Sequence, residues 1–337
     1  MALRSGEENM LFNRESIVKN RIFLAFFLFV LVFIVLPIVI EEAYIIHIII
    51  LCLMYSVVAG SWNLLIGYTG IFSFGHQAFF GIGAYVSAII SMRLGISPWL
   101  GLLIGGAVAA CVGSVVAIPC LKLRAAPYVA IATLCMAEMC RIAAQNLISL
   151  TRGESGLWGI PEFPSIGVIS FLGSRTPYYY LILGLFVLIF GIIYWVLKSP
   201  LSLALQAIRE SQDAAESLGI NITSIKILVF VISAFFAGVM GSFYAHYILI
   251  LTPSSVFNMD FMVVIIAMTF IGGVGTFFGP IIGAFFLTIS MELLRVIEDS
   301  YRLMFYGVLL VLVIIFLPKG LVNLRFRTKR ISPSRIN

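Results

Sequence analysis

Charged side chains are missing from long stretches of this 337-residue chain, and their absence limits what it can fold into. Ten apolar runs can be drawn, approximately 22–40, 44–66, 72–92, 98–118, 127–148, 178–197, 227–250, 260–278, 279–295 and 301–317. Each is close to the roughly 20 residues that a helix needs to cross a bilayer. Only 11% of the residues are charged, 61% are hydrophobic, and the mean hydropathy is +1.12. In hydrocarbon a helix satisfies its own backbone, which an open strand cannot do. The expectation is an all-α, polytopic integral membrane protein of about ten transmembrane helices. Eight or nine spans remain compatible, because only Gly272, Gly273, Gly275, Gly279 and Pro280 separate the eighth run from the ninth. No stretch between the runs reaches about 50 residues, the low end for an independent soluble domain.

The distribution of charge supplies an orientation. With both ends in the cytoplasm, 15 of the 21 Lys and Arg residues fall on the inner side and five, Arg93, Arg152, Arg175, Arg295 and Arg302, on the outer side. Such a bias is what membrane insertion favours. The net charge of +6 is therefore a property of loops and ends beside lipid, and calls for no nucleic acid. The run at 22–40 is longer than the about 7–15-residue core of a cleavable signal and reads as a retained span. The expected organisation is a cytoplasmic segment 1–21, a membrane domain 22–318 and a basic cytoplasmic tail 319–337. Five cysteines lie within or at the ends of the spans without a CxxC pair, so neither metal nor cofactor is expected.

Two loops are long. The outer one, Ser149 to Pro177, is punctuated by glycine and proline, and reads as a crossover or as a docking surface for an external partner. The inner one reads as a helix from Ser199 to Gly219, with the Ser199 hydroxyl as cap, Pro200 in the first turn and Gly219 as stop. Leu201, Leu205, Ile208, Ala215 and Leu218 recur at helical spacing opposite Gln206, Arg209, Glu210, Asp213, Glu216 and Ser217. Helices that lie on lipid carry basic polar faces. This face is largely acidic, so a protein surface is expected to cover the apolar stripe.

Inside the membrane, Asn63 to Gln77 places Gly67, Gly70 and Gly75 among Asn63, Tyr68, Thr69, Ser73, His76 and Gln77. Broken helices of this composition mark transport pathways, with a tight turn as the plainer alternative. The turn from Gly272 through Gly273 and Gly275 to Gly279 has the same character. Gly101, Gly105, Ala109 and Gly113, and likewise Ser233, Ala237, Gly241 and Ala245, form smooth ridges for helix contact. Glu138 and Glu292 are acids at membrane depth, each with an arginine three residues on, Arg141 and Arg295. Such a pair lines a pathway or fixes a helix's rotation.

Three segments carry a resemblance: LLIGYTGIFSFGHQAFFGIGAY from Leu64, AIRESQDAAESLGIN from Ala207 and IGGVGTFFGP from Ile271. In this order and spacing they resemble the LivM-type permease subunits of branched-chain amino-acid ABC transporters, over about residues 22–322. The run from Asp213 to Gly219 is similar to the EAA loop through which such permeases engage their ATPases, with aspartate in place of the leading glutamate. The resemblance implies a permease fold like that of type II importers and a bacterial or archaeal cytoplasmic membrane. It also implies a second homologous permease, two ATP-binding subunits and an extracytoplasmic binding protein. Arg209, Glu210, Asp213, Ala214, Ala215 and Gly219 would couple to the ATPase. Asn63, Gly67, Gly70, Ser73, Gly75, His76, Gln77, Glu138, Gly272, Gly273 and Gly275 would belong to the pathway. Related permeases take urea and short amides. No GxxxxGK[ST] occurs in the chain, so any P-loop ATP hydrolysis falls to a partner. An ion-coupled secondary transporter would need a titrating acid or ion site. An intramembrane enzyme would need a nucleophile or metal constellation that the spans do not contain. In a background without native cysteines, membrane-impermeant thiol labelling from outside is expected to modify Ser155→Cys and spare Ser211→Cys; the reverse pattern would overturn the orientation.

Overall fold

The computed structural model describes residues 24–40, 42–120, 126–165, 170–294 and 320–322, with isolated positions between 304 and 315. The segments 1–21 and 323–337 and most of the tenth run lie outside the described residues, as do Lys122, Arg124 and Arg295. Helix α1 spans Leu24–Val39. It is followed by α2 (Ala43–Thr69), α3 (His76–Leu94), α4 (Pro98–Cys120), α5 (Ala126–Asn146), α6 (Ile148–Thr151) and α7 (Thr176–Lys198). Then come α8 (Leu201–Glu210), α9 (Gln212–Ser217), α10 (Ile222–Ile248), α11 (Pro253–Val256), α12 (Met259–Gly272) and α13 (Gly279–Leu293). Seven helical segments are long and apolar enough to cross a membrane, with α11 and α12 counted as one, and α1 and α13 are shorter apolar helices. The eighth and ninth runs are separate helices, because the chain leaves helix at Gly273 (φ 124°) and re-enters with Pro280 in the first turn of α13.

Two packed groups meet where α10 lies against α2. Helices α3, α4 and α10 form one, and α7, α12 and α13 gather around α2 to form the other. The small-residue ridges of the sequence are the contact surfaces of the first group. A Cβ at Gly241 would overlap the Phe80 carbonyl on α3, one at Gly83 would overlap the Gly238 carbonyl on α10, and one at Gly113 would sit 2.7 Å from the Ala234 methyl. Backbones approach this closely only where side chains are absent. Helix α1 lies against the second group through Phe26, Phe29 and Phe33, which meet Phe186, Phe190, Phe277 and Phe285.

At one end of the bundle, strand β1 (Leu157–Trp158) pairs antiparallel with β2 (Ile250–Leu251), Leu157 opposite Leu251. The long loop after α5 is therefore fastened to the α10–α11 connection. Trp99, Phe163, Phe171 and Tyr178 pack beneath it in tilted and edge-to-face contacts. His246 fixes its position, with Nδ1 donating to the Pro161 carbonyl at 2.8 Å and Nε2 paired with Ser87 Oγ at 2.8 Å.

The opposite end carries α8 and α9, and here the segment expected as one helix is two. Ser211 is extended (φ −158°, ψ 114°), and its hydroxyl accepts the Ala214 amide at 3.3 Å, which starts α9 anew. Ser199 does not cap α8; its hydroxyl donates back to the Val196 carbonyl at 2.7 Å. Gly219 does stop α9, at φ 80°, with Ile220 N–H on the Ala215 carbonyl and Gly219 N–H on the Glu216 carbonyl. That is the paired hydrogen bonding of a left-handed C-cap.

Replacing Gly241 with valine is expected to cost about 2–3 kcal/mol or abolish folded yield, since the overlap is with backbone. Gly191 on α7 has open space around the added atoms. Gly191→Val is expected to stay within about 0.5 kcal/mol of wild type in thermal unfolding of detergent-purified protein; equal losses in both variants would contradict the packing.

Candidate functional site

The last turn of α2 leaves carbonyls without an intrahelical partner, as any helix end does. Gly70 ends the helix at φ 72°, and the amide of Ile71 returns to the Leu65 carbonyl at 3.3 Å. The break expected across Asn63 to Gln77 is thereby confined to Gly70 through Gly75. Its own helix, α5 and the break itself close it. Trp62 Nε1 donates to the Ser73 carbonyl at 2.8 Å, the Phe74 amide donates to Thr133 Oγ1 of α5 at 3.0 Å, and the Gly75 amide donates to Ser73 Oγ at 3.1 Å.

About two turns before that end, Asn63 is 3% exposed and reaches the turn between α12 and α13. Its Nδ2 donates to the Thr276 carbonyl at 3.0 Å, and its Oδ1 accepts the Gly275 amide at 2.8 Å. Thr276 Oγ1 donates to the Gly273 carbonyl at 2.7 Å and accepts the Gly279 amide at 3.0 Å. The closeness depends on glycine: a Cβ on Gly67 would stand 2.7 Å from Gly275 N. On the other side of the turn, a Cβ on Gly320 would overlap Gly273 Cα.

Helix α8 completes the cluster. The Arg209 guanidinium donates from Nη1 to the Gly67 carbonyl and lies beside Gly275, where an added Cβ would come within 2.9 Å of Nη1. The segments beginning at Leu64, Ala207 and Ile271, far apart in sequence, thus meet at one point through Gly67, Arg209 and Gly275.

The remaining candidates separate. The imidazole of His76 joins α3, α10 and α2: Ser233 Oγ donates to the Ser61 carbonyl at 2.6 Å, so His76 Nε2 is the donor in its 2.7 Å bond to Ser233 Oγ. His76 Nδ1 and both polar atoms of Gln77 are buried without a hydrogen-bond partner. Glu138 and Arg141 form the ion pair that their spacing anticipates, at 2.7 Å, each about one-third exposed. They sit on α5, the least buried of the candidate spans. Glu292 accepts a hydrogen bond from Tyr44.

The apolar stripe of the α8–α9 segment faces the chain itself. Leu205, Ile208 and Ala215 are buried in this protein, whereas Leu203 and Leu218 are more than two-thirds exposed. Of the residues expected to couple, Arg209, Glu210, Asp213, Ala214 and Gly219 are exposed, as is Leu218, while Ala215 faces inward. Lys226 of α10 holds α9 down by donating to Gln212 Oε1 at 2.9 Å. Sequence reasoning passed over Thr133, Trp62, Thr276 and Gln212. Only Thr276 carries a signal, standing between the glycines of its turn.

Residues 44–314 match the sequence profile of the family described as branched-chain amino acid transport system, permease component. The chain belongs to that family. The permease is 32% identical over 291 residues to the high-affinity branched-chain amino acid transport system permease protein LivM of Salmonella typhimurium, covering 80% of this chain and 68% of that protein. LivH of Escherichia coli is 26% identical over 284 residues, 80% of this chain and 91% of that protein. The guanosine ABC transporter permease protein NupQ of Bacillus subtilis is 26% identical over 257 residues, 70% and 80% of the two chains. No solved structure matches. As a permease component of an ABC transporter, the protein is a multi-pass membrane transport subunit and not itself an enzyme; the family implies ATPase and binding-protein partners.

The cluster predicts its own sensitivity. Asn63→Ala strips two hydrogen bonds from the α12–α13 turn and is expected to cost the permease about 1–3 kcal/mol in thermal unfolding. Gly67→Ala forces α2 and the turn apart and should cost at least as much. An unchanged midpoint in both would mean that the contact contributes nothing.

Proposed function

We propose that the protein imports branched-chain or other aliphatic amino acids as one of two homologous permeases, driven by two ATP-binding subunits and supplied by an extracytoplasmic binding protein. The convergence of Gly67, Arg209 and Gly275 carries this reading. The three segments that resemble the amino-acid permeases lie together at the end that bears α8 and α9. In the proposed orientation this end faces the cytoplasm, where ATP-binding partners reside, and the β1–β2 end faces out toward the binding protein. The distribution of basic residues supports that orientation.

The partner-facing surface is the outer side of α8 and α9. Asp213, Ala214, Leu218 and Gly219 are exposed there, and the turn is fixed by the left-handed Gly219. The translocation pathway runs past α5, between this permease and its homologue. An ion pair about one-third exposed midway along a span is costly against lipid tails and tolerable beside water. Glu138 with Arg141 therefore marks the wet face of α5. The break at Gly70 to Gly75, bonded to Thr133 of the same helix, and the buried Gln77 lie one packing layer behind it.

Reconstitution of the permease pair with its ATP-binding subunits and binding protein tests the reading. Leucine uptake into liposomes is expected to require ATP and to survive a protonophore. Uptake abolished by the protonophore would point to ion coupling, and uptake of guanosine in preference to leucine would overturn the substrate class. In the same complex, Ala214→Trp and Gly219→Val are expected to leave the permease folded yet lose most of the bound ATP-binding subunits. The first blocks the exposed face, and the second costs about 1 kcal/mol or more at a left-handed backbone. Full retention in both would remove α9 from the contact.

A further inference from the structure

Arg209 is an exposed residue on the segment expected to touch the ATP-binding partner, yet its guanidinium reaches the other way, to the end of α2. Its stem passes over Gly70, where an added Cβ would lie 3.8 Å from Cγ, and the head ends between the Gly67 carbonyl and Gly275. Three physical features make this more than a surface contact. First, the acceptor is a carbonyl in the last turn of a 27-residue helix, the negative end of its dipole, where a cation is stabilised. Second, the bond is charge-assisted and formed by a planar, permanently charged donor that can lie flat on a glycine backbone. Third, the residue beside it, Ile208, is 1% exposed and Leu205 is fully buried, so α8 is seated on the membrane helices just where the arginine leaves it.

Asn63 binds the same end of α2 to Gly275 and Thr276. Arg209 therefore touches a unit that already contains α2 and the α12–α13 turn. A displacement of α8 either carries this unit with it or breaks the Arg209 bond; the glycines leave no side chain to slide on. We infer that Arg209 is the transmission link of the permease, fastening α8 to α2 and the α12–α13 turn so that force applied to α8 and α9 moves the helix ends that close the pathway. It is a positioning residue, acting through Gly67 and Gly275. The inference rests on the ATP-driven reading above and assigns Arg209 a role inside this chain rather than at the partner's surface.

The test uses the complete complex in liposomes and reads the number of leucine molecules imported per ATP hydrolysed, a ratio that simple loss of folded protein does not change. Arg209→Gln and Arg209→Met remove the charge, the second keeping an apolar stem. Both are expected to retain the ATP-binding subunits on co-purification while the ratio falls about tenfold, the scale of one charge-assisted hydrogen bond. Arg209→Lys places a point charge near the same carbonyl without the planar contact and should recover the ratio to within about threefold of wild type. A wild-type ratio in either neutral variant overturns the link, and so does loss of the ATP-binding subunits from both, which would make Arg209 a partner contact. Absence of ATP-dependent uptake in the unmutated complex would instead overturn the transport reading, whatever Arg209 does.

Discussion

Hydrocarbon offers no hydrogen bond to a backbone amide, so a helix that stops within a membrane protein must be closed by other parts of the protein. Two interruptions in this permease obey that constraint at the same end. The break after α2 is satisfied by Trp62 from its own helix and Thr133 from α5. The turn after α12 is satisfied by Asn63 of α2 and by Thr276 within it. Each closure joins elements distant in sequence, and the constraint thereby becomes an architecture: helix ends that cannot stand alone are tied into one unit. Arg209 attaches α8 to that unit at a carbonyl that α2 itself cannot satisfy.

A transporter needs a rigid part and a part that yields. The rigid part is glycine-to-backbone packing, in α3 against α10 and α2 against the α12–α13 turn, where no added atom fits. In the proposed reading the yielding part is α5, the least covered of the candidate spans, which carries an ion pair at mid-span and meets the break after α2 through Thr133. Buried polar groups without partners, His76 Nδ1 and both ends of Gln77, stand in the first turn of α3. Such groups cost about 1–3 kcal/mol each.

The long spans were legible in the sequence because lipid imposes one rule on all of them. Nine of the runs correspond to helices among the described residues, α8 apart from the membrane was recognisable by its amphipathic period, and the ridges of Gly105, Gly113 and Gly241 named their own contacts. Four things were not legible. Ser211 breaks the α8–α9 segment through a side-chain cap that a regular apolar stripe conceals. The stripe itself predicts burial without naming the surface, and Leu205, Ile208 and Ala215 turn out to be covered by this chain. The ends of α2 and α12 could be placed only roughly, since glycine tolerates helix and turn alike. Finally, the meeting of Asn63, Arg209 and Gly275 is a tertiary fact; each residue alone reads as a turn or surface position.

The central claim is that α8, the end of α2 and the start of α13 move as one body against α5. Pulsed electron-spin distance measurements on the complete complex address it most directly, with labels at exposed positions: Leu203 on α8, Ile282 on α13 and Tyr128 on α5. When ATP is added, the account predicts that the Leu203–Ile282 distance stays fixed while the Leu203–Tyr128 distance changes. A Leu203–Ile282 distance that shifts while Leu203–Tyr128 holds would contradict it.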